Sequence, residues 1–140
     1  MVEVVTSLKN GIHEFNKDLV IKIEVFSHNK IKDPAVSFQI LNRDNIPVLH
    51  ELNLNSENEF CQERGSYRLT SVIKNIKLYQ GQYKLNIYFA DNFSKIKLDA
   101  VIENCSFEII NENKRPYYWE VGSAIYKENN TKWEICKINE

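Results

Sequence analysis

The segment that decides the fold is residues 83–91, which read YKLNIYFAD. Apolar and polar side chains alternate along it, and the apolar positions are Tyr83, Leu85, Ile87 and Phe89. Successive side chains of a β-strand point to opposite faces, so a period of two is typical of a strand that buries one face and exposes the other. The segment therefore predicts a half-buried strand whose exposed face includes Asn86 and Tyr88.

The same alternation recurs on both sides of this segment, and turn signals such as Asn10-Gly11 and Gln80-Gly81 separate the repeats. The predicted strands are Val2–Ser7, Asp18–Ser27, Ala35–Leu41, Val48–Leu52, Tyr67–Ile76, Gln82–Asp91, Ile102–Ile110 and Lys132–Lys137. Short strands without a helical period between them are typical of a sandwich. We therefore predict an all-β fold, an antiparallel immunoglobulin-like or jelly-roll β-sandwich of about eight strands.

The composition limits the classes of function. The chain has 140 residues, which is enough for one domain with its own core. Its 18 basic and 19 acidic residues nearly cancel, which excludes the broad basic surface that attracts nucleic acid. The three cysteines are widely spaced, which indicates a reducing compartment. No apolar run reaches the about 20 residues that a membrane-spanning helix needs.

The chain is predicted to divide at residue 110, with the sandwich in residues 1–110 and an extension that ends in a strand in residues 111–140. Large apolar side chains crowd into this extension, and we assign to a dimer interface Tyr117, Tyr118, Trp119, Trp133 and Ile135. Such residues are enriched where proteins associate. Two interpretations stay open, because the extension can join two copies of the chain or cap its own sandwich.

Motifs of the common nucleotide-binding and hydrolytic enzymes are absent. The sequence has no phosphate-cradling loop, no dinucleotide-binding glycine motif, no serine nucleophile elbow and no zinc-protease motif. His13, His28 and His50 stand alone, and we predict that they are surface or rim residues. We therefore predict no catalytic residues, no metal site and no cofactor in this chain.

Acidic residues offer two alternatives to that prediction. Asp91, Asn92 and Asp99 can be read as calcium ligands, but Asp and Asn also favour turns, and we prefer the turn interpretation. Glu24 and Glu108 can be read as the paired carboxylates of a glycosidase. They lie on separate predicted strands, and the sequence does not give their separation.

Binding of a sugar requires hydrogen-bonding groups beside an aromatic ring that packs on the apolar face of a pyranose. Side chains on the predicted exposed strand faces offer this mixture, and the candidate carbohydrate-binding residues are Ser37, Gln39, Arg68, Asn86 and Tyr88. A solvated outer sheet face has a similar composition. Both interpretations stay open for each residue taken singly.

The order of several motifs resembles one protein family. Its opening strands correspond to Val2–Gly11 and Phe15–Val25, and its proline, strand and polar turn correspond to Lys32–Asp44. Ile76–Tyr88 is similar to its corner of leucine, glycine and tyrosine, and Leu98–Ile109 is similar to its last core strand. The chain resembles the C-terminal carbohydrate-binding domain of the Wzt-type ATP-binding subunit of O-antigen polysaccharide ABC transporters.

The resemblance implies a non-catalytic domain that recognises the non-reducing end of a lipid-linked O-antigen or related surface polysaccharide and couples chain completion to export. The ATPase domain would then lie in an N-terminal portion outside this chain. The implied partners are the glycan terminus, a second copy of the chain, the nucleotide-binding domain and the transmembrane transporter subunit, without nucleic acid.

The implied location is the cytoplasm, at the inner face of the inner membrane, where the transporter holds the domain. In some members of the family the last strand is exchanged between the protomers of a homodimer, and the extension after residue 110 fits that role. The alternative function is a structural or dimerising sandwich without its own glycan specificity.

Overall fold

The structure is a computed structural model that describes residues 1–111, 124–128 and 130–137. The described residues form eight strands and no helix. No helix long and apolar enough to cross a membrane is therefore present among them. The strands are β1 (Val2–Val5), β2 (Ile12–Glu14), β3 (Leu19–Ser27), β4 (Pro34–Asn42), β5 (Pro47–Leu54), β6 (Gly65–Ile73), β7 (Gly81–Asp91) and β8 (Ile96–Ile110).

The strands form two sheets. One has the order β1-β3-β6, and the other has the order β2-β8-β7-β4-β5. Every neighbouring pair is antiparallel except β2 and β8, which run parallel. The prediction of an all-β sandwich is therefore confirmed, with one parallel pair added at the edge of the larger sheet.

The core lies between the sheets and consists of the apolar positions that alternate along each strand. On β7 the predicted inward set is buried, and Leu85 has no exposed surface. On β3 the same holds for Leu19, Ile21 and Ile23, and on β4 for Val36, Phe38 and Ile40. Burial therefore fixes which side chains of the central strands face outward, because a register shift of one residue would turn the apolar side chains toward water.

Tyr83 closes the corner that leads into β7. Its ring is buried and stacks on Phe107, and its hydroxyl donates a hydrogen bond of 2.5 Å to the carbonyl oxygen of Tyr79. Burial disfavours the phenolate and raises the pKa of Tyr83 to about 12. A tyrosine that bonds to the backbone a few residues upstream is typical of sandwich corners.

The largest differences from the prediction concern three segments of the described chain. β2 was not predicted, because three residues are too few to show a period, and β8 begins six residues before the predicted start at Ile102. The predicted strand Lys132–Lys137 is wrong for the single chain, since residues 131–137 pair with no strand of the described chain. A strand forms only by backbone hydrogen bonds to an adjacent strand, and within the described residues this segment has no adjacent strand.

The histidines divide into two environments. His28 and His50 are exposed, as predicted, but His13 on β2 is fully buried, so the prediction of a surface residue is wrong there. Its Nδ1 accepts a hydrogen bond of 3.0 Å from the amide of Ser7, and its Nε2 donates one of 3.2 Å to the carbonyl of Lys17. Both ring nitrogens have hydrogen-bond partners, so the ring is buried without the energetic cost of an unpaired polar group.

Candidate functional site

Four of the five predicted binding residues lie together on the outer face of the larger sheet. Ser37 pairs with Tyr88, and Gln39 pairs with Asn86, across the central strands β4 and β7. All four side chains are half-buried, and they alternate with core residues. Directly opposed side chains on one face lie about 5 Å apart, so the four form a continuous surface.

Arg68 is not part of this surface. It lies on β6, in the smaller sheet on the other side of the sandwich, where it pairs with Glu24 of β3. The Arg68 Nε donates a hydrogen bond of 2.8 Å to the Glu24 Oε1. Alternation identifies residues that face outward but not the sheet to which they belong, which is why the sequence grouped Arg68 with the other four.

Neighbouring strands widen the surface on both sides. Leu52 of β5 lies opposite Ser37, His50 lies opposite Gln39, and Ala100 of β8 lies opposite Tyr88. Leu52 is 46% exposed, which gives the surface an apolar border beside the Tyr88 row. We call the seven residues the outer patch: Ser37, Gln39, His50, Leu52, Asn86, Tyr88 and Ala100.

Asn86 holds the outer patch in shape. Its Oδ1 accepts a hydrogen bond of 2.9 Å from the amide of Glu103, at a bulge of β8, and its Nδ2 lies 3.5 Å from the Gln39 Oε1. Glu103 has a φ of 52°, a left-handed conformation that costs energy for a residue with a Cβ. The Asn86 amide therefore fixes both the bulge and the Gln39 side chain.

Three groups of the outer patch keep hydrogen-bonding capacity. The Ser37 hydroxyl, the Tyr88 hydroxyl and the Gln39 Nε2 have no hydrogen-bond partner among the described residues. A hydroxyl both donates and accepts, and an amide nitrogen donates twice. Set beside the Tyr88 ring, these groups can bind a molecule that has both hydroxyls and an apolar face, and a sugar has both.

The alternative acidic sites do not assemble. Glu24 and Glu108 lie on different sheets, so they are not a pair of facing carboxylates. Asp91 accepts hydrogen bonds from the amides of Asp33 and Phe93 and from the Ser94 hydroxyl, so its carboxylate organises a turn. These bonds lower the pKa of Asp91 against the opposing effect of desolvation. Among the described residues no three acidic, histidine or cysteine side chains cluster as metal ligands do.

Residues 4–123 match the family described as the Wzt C-terminal domain. The chain belongs to the Wzt C-terminal domain family. A comparison with curated proteins found no match. Family membership supports a non-catalytic, carbohydrate-binding module of the O-antigen transporter.

Solved structures agree with this family on the fold. The crystal structure of the C-terminal domain of Wzt matches with a TM-score of 0.65 and 13% identity, over 91% of this chain and 81% of that one. A β-glucuronidase of glycoside hydrolase family 2 matches with a TM-score of 0.50 and 18% identity, over 71% of this chain and 10% of that one. At these identities the matches show a shared sandwich.

The structure describes only two of the five residues assigned to a dimer interface. Tyr117, Tyr118 and Trp119 lie outside the described residues. Trp133 is 85% exposed and Ile135 is 93% exposed. Just before them, the Tyr79 amide donates a hydrogen bond of 2.7 Å to the carbonyl of Ile125, so this part of the extension packs on its own sandwich.

Proposed function

We propose that this domain recognises the non-reducing end of a lipid-linked O-antigen or related surface polysaccharide and binds it on the outer patch. The observation on which the proposal rests is the register of β4 and β7, which sets Ser37 beside Tyr88 and Gln39 beside Asn86. An aromatic ring and unsatisfied hydroxyl and amide groups share one rigid sheet face there. Membership of the Wzt C-terminal domain family supports a polysaccharide as the ligand.

In this proposal the domain reports chain completion to the transporter. It sits in the cytoplasm at the inner face of the inner membrane, next to a nucleotide-binding domain and the transmembrane subunit. Binding energy comes from a few hydrogen bonds and one ring contact on a wet surface, so the affinity for a single chain end is weak. Weak binding suits a signal that must be released when the polymer is exported.

The test is a titration of the domain with O-antigen polysaccharide released from the lipopolysaccharide of the source bacterium, followed by amide chemical shifts. We expect the amides of residues 37–39 and 86–88 to shift. Tyr88→Ala should weaken binding about tenfold, because it removes the ring that packs on the sugar, and aromatic contacts contribute up to about 1.5 kcal/mol.

The matched control is Phe26→Ala, since Phe26 is an aromatic residue with 48% exposure on the outer face of the other sheet. This control should leave binding unchanged. Asn86 is not a suitable test position, because its loss also removes the acceptor of the Glu103 amide. Polysaccharide that shifts no amide of the outer patch, or that binds equally to Tyr88→Ala, would show that the proposal is wrong.

The second candidate function is a dimerising module, and it is supported by a different observation. Trp133 and Ile135 are exposed and alternate with the charged Lys132 and Glu134, a polarity pattern that a strand would need to bury one face against a second copy. We propose that they, together with Tyr117, Tyr118 and Trp119, form a homodimer interface. This role is compatible with glycan binding, because the outer patch lies on strands β4, β5, β7 and β8 rather than in the extension.

A further inference from the structure

Two loops meet at one end of the sandwich and form one surface there. Residues 28–33 connect β3 to β4, and residues 92–95 connect β7 to β8. Because β4 and β7 are antiparallel neighbours, the start of β4 lies beside the end of β7. The Asn92 amide donates a hydrogen bond of 2.8 Å to the carbonyl of Asp33, and the Asp33 amide donates one of 3.1 Å to the Asp91 Oδ1. These bonds hold the two loops together.

This surface has an excess of positive charge, although the chain as a whole has a net charge of -1. Residues 28–33 and 92–97 contain one acidic residue, Asp33, and four lysines. The lysines are Lys30, Lys32, Lys95 and Lys97, all of them exposed. None of the four is in an ion pair with a described residue. A local excess of one sign attracts a partner of the other sign even where the whole chain is nearly neutral.

Two large apolar side chains stand exposed among these lysines. Phe93 is 63% exposed in the loop between β7 and β8, and Ile96, at the start of β8, is 55% exposed. The Lys32 Nζ lies 3.4 Å from the centre of the Phe93 ring, which is a cation–π contact. We call six residues the basic tip: Lys30, Lys32, Phe93, Lys95, Ile96 and Lys97.

The composition of the basic tip favours a lipid surface over a protein surface as its partner. All of its cations are lysines, and lysine is depleted in protein–protein interfaces, where arginine is enriched. A lysine can lay its carbon stem along an apolar surface while its ammonium group stays among charged headgroups. Anionic lipids attract lysines near the bilayer surface, and aromatic and aliphatic side chains enter the boundary between headgroups and acyl chains.

Acidic residues at the same end lie on another side of it. The third loop there, residues 55–64, contains three glutamates. Two of them, Glu57 and Glu59, line a groove beside β5 and β6, whereas Lys30 lines a groove beside β8 together with Leu98. The separation of the two charges sets the approach to an anionic surface, because the basic tip is attracted and the glutamates are repelled.

We propose that the basic tip docks this domain on an anionic lipid bilayer, with Phe93 and Ile96 inserted among the headgroups and the four lysines bound to lipid phosphates. The inference goes beyond the proposed function and does not depend on it. Docking through this end leaves the outer patch free to bind, since none of its seven residues belongs to the basic tip.

The test is co-sedimentation of the domain with vesicles that carry no sugar, made of phosphatidylglycerol and phosphatidylcholine in about equal parts or of phosphatidylcholine alone. We expect the domain to bind the anionic vesicles and not the neutral ones. Binding should be lost when the salt concentration is raised from about 0.1 M to about 1 M, because salt screens exposed charges.

The lysines are tested by the double variant Lys95→Gln with Lys97→Gln. It should weaken binding to the anionic vesicles about 25-fold, since each lysine near an anionic surface contributes about fivefold. The matched control is Lys9→Gln with Lys17→Gln, which removes the same charge from exposed residues in the loops before β2 and β3, at the opposite end of the sandwich. This control should bind as the unmodified chain does.

The apolar contact is tested by Phe93→Ala, which should weaken binding about tenfold, because it removes the ring that enters the bilayer. Its control is Ile46→Ala, which truncates an apolar side chain that is 50% exposed in the turn between β4 and β5, at the opposite end. Ile46→Ala should leave binding unchanged.

The inference is overturned if the domain does not bind the anionic vesicles, which is the result expected of a tip that fits an acidic protein instead, or if it binds the neutral ones equally. It is also overturned if the two double lysine variants weaken binding equally, or if Phe93→Ala binds unchanged. Because the vesicles carry no glycan, failure here leaves the proposed function standing. Polysaccharide that shifts no amide of the outer patch would in turn leave this inference standing.

Discussion

At the scale of single residues, His13 links the stability of the fold to pH. Burial lowers the pKa of His13 below its ordinary value of 6.5, although the Lys17 carbonyl and the carboxylates of Glu14 and Asp18 favour its protonated form. The folded state therefore binds a proton less readily than the unfolded state. Since stability rises with pH wherever the unfolded state binds more protons, the fold loses stability as pH falls below 6.5.

This effect can be measured by urea unfolding at several pH values between 7.5 and 5, where the slope for one proton is at most about 1.4 kcal/mol per pH unit. We expect His13→Gln to be less stable at pH 7.5 and to lose this part of the slope. His50→Gln, an exposed control, should keep the slope. An unchanged slope in His13→Gln would contradict the assignment.

The residue scale also shows where sequence reasoning reaches its limit. The outward direction of Ser37, Gln39, Asn86 and Tyr88 followed from alternation, because a period of two fixes which side chains share a face. The place of Arg68 did not follow, because alternation within one strand holds no information about the sheet it joins. Burial of His13 was hidden for a similar reason, since β2 is too short to show a pattern.

At the scale of elements, the Tyr83 corner fixes how the chain enters β7. The Tyr83 hydroxyl bonds to the Tyr79 carbonyl, and its pKa is raised to about 12 by burial. A folded-state pKa above the unfolded value of 10 gives stability that is complete below pH 10 and is lost as pH rises toward 12. Alkaline unfolding should therefore include a contribution from this one side chain.

Tyr83→Phe tests the corner, and we expect it to destabilise the domain by about 1 kcal/mol at pH 7, because the Tyr79 carbonyl loses its donor. The variant should also lose part of the decline in stability above pH 10, measured by urea unfolding. Tyr88→Phe is the control, since the Tyr88 hydroxyl has no partner among the described residues. Equal alkaline profiles for Tyr83→Phe and the unmodified chain would contradict the prediction.

Among elements, β5 shows what only the register reveals. The sequence predicted a strand at Val48–Leu52, but its two sets of alternating residues are both mixed in polarity. Pairing with β4 shows that Glu51 and Asn53 face inward and Leu52 faces outward. The central strands were predictable because core burial forces one face to be apolar, whereas both faces of the edge strand β5 include polar residues, so its pattern does not show which face is inward.

At the scale of the whole molecule, the outer patch and the packed part of the extension lie on different parts of the chain, since the patch is on β4, β5, β7 and β8 and the extension bonds to the segment before β7. The extension contacts the sandwich at residues 77–79. Tyr126 forms an isolated antiparallel β-bridge with Leu78, and the amide of Lys127 donates a hydrogen bond of 2.8 Å to the carbonyl of Lys77. In the proposed dimer the contact surface is residues 131–137, and none of these residues belongs to the outer patch.

The described parts of the extension differ in their surroundings. Residues 125–127 pack on their own sandwich, while Trp133 and Ile135 are 85% and 93% exposed. Burying two such side chains against a second copy contributes about 1.5–3 kcal/mol each, which is enough to matter for a dimer. A double variant, Trp133→Ser with Ile135→Ser, should therefore shift the domain from two copies to one in light scattering.

The control for this last prediction is Lys132→Ser with Glu134→Ser, which changes the alternate positions of the same segment and should leave two copies associated. Removal of residues 129–140 should act like the Trp133 and Ile135 double variant, with little change in the unfolding of the single chain, because the bonds at residues 125–127 remain. A truncated chain that still scatters as a dimer would place the interface on the sandwich itself, and the free edges of β5 and β6 would then be the first surfaces to test, because unpaired strand edges are templates for association.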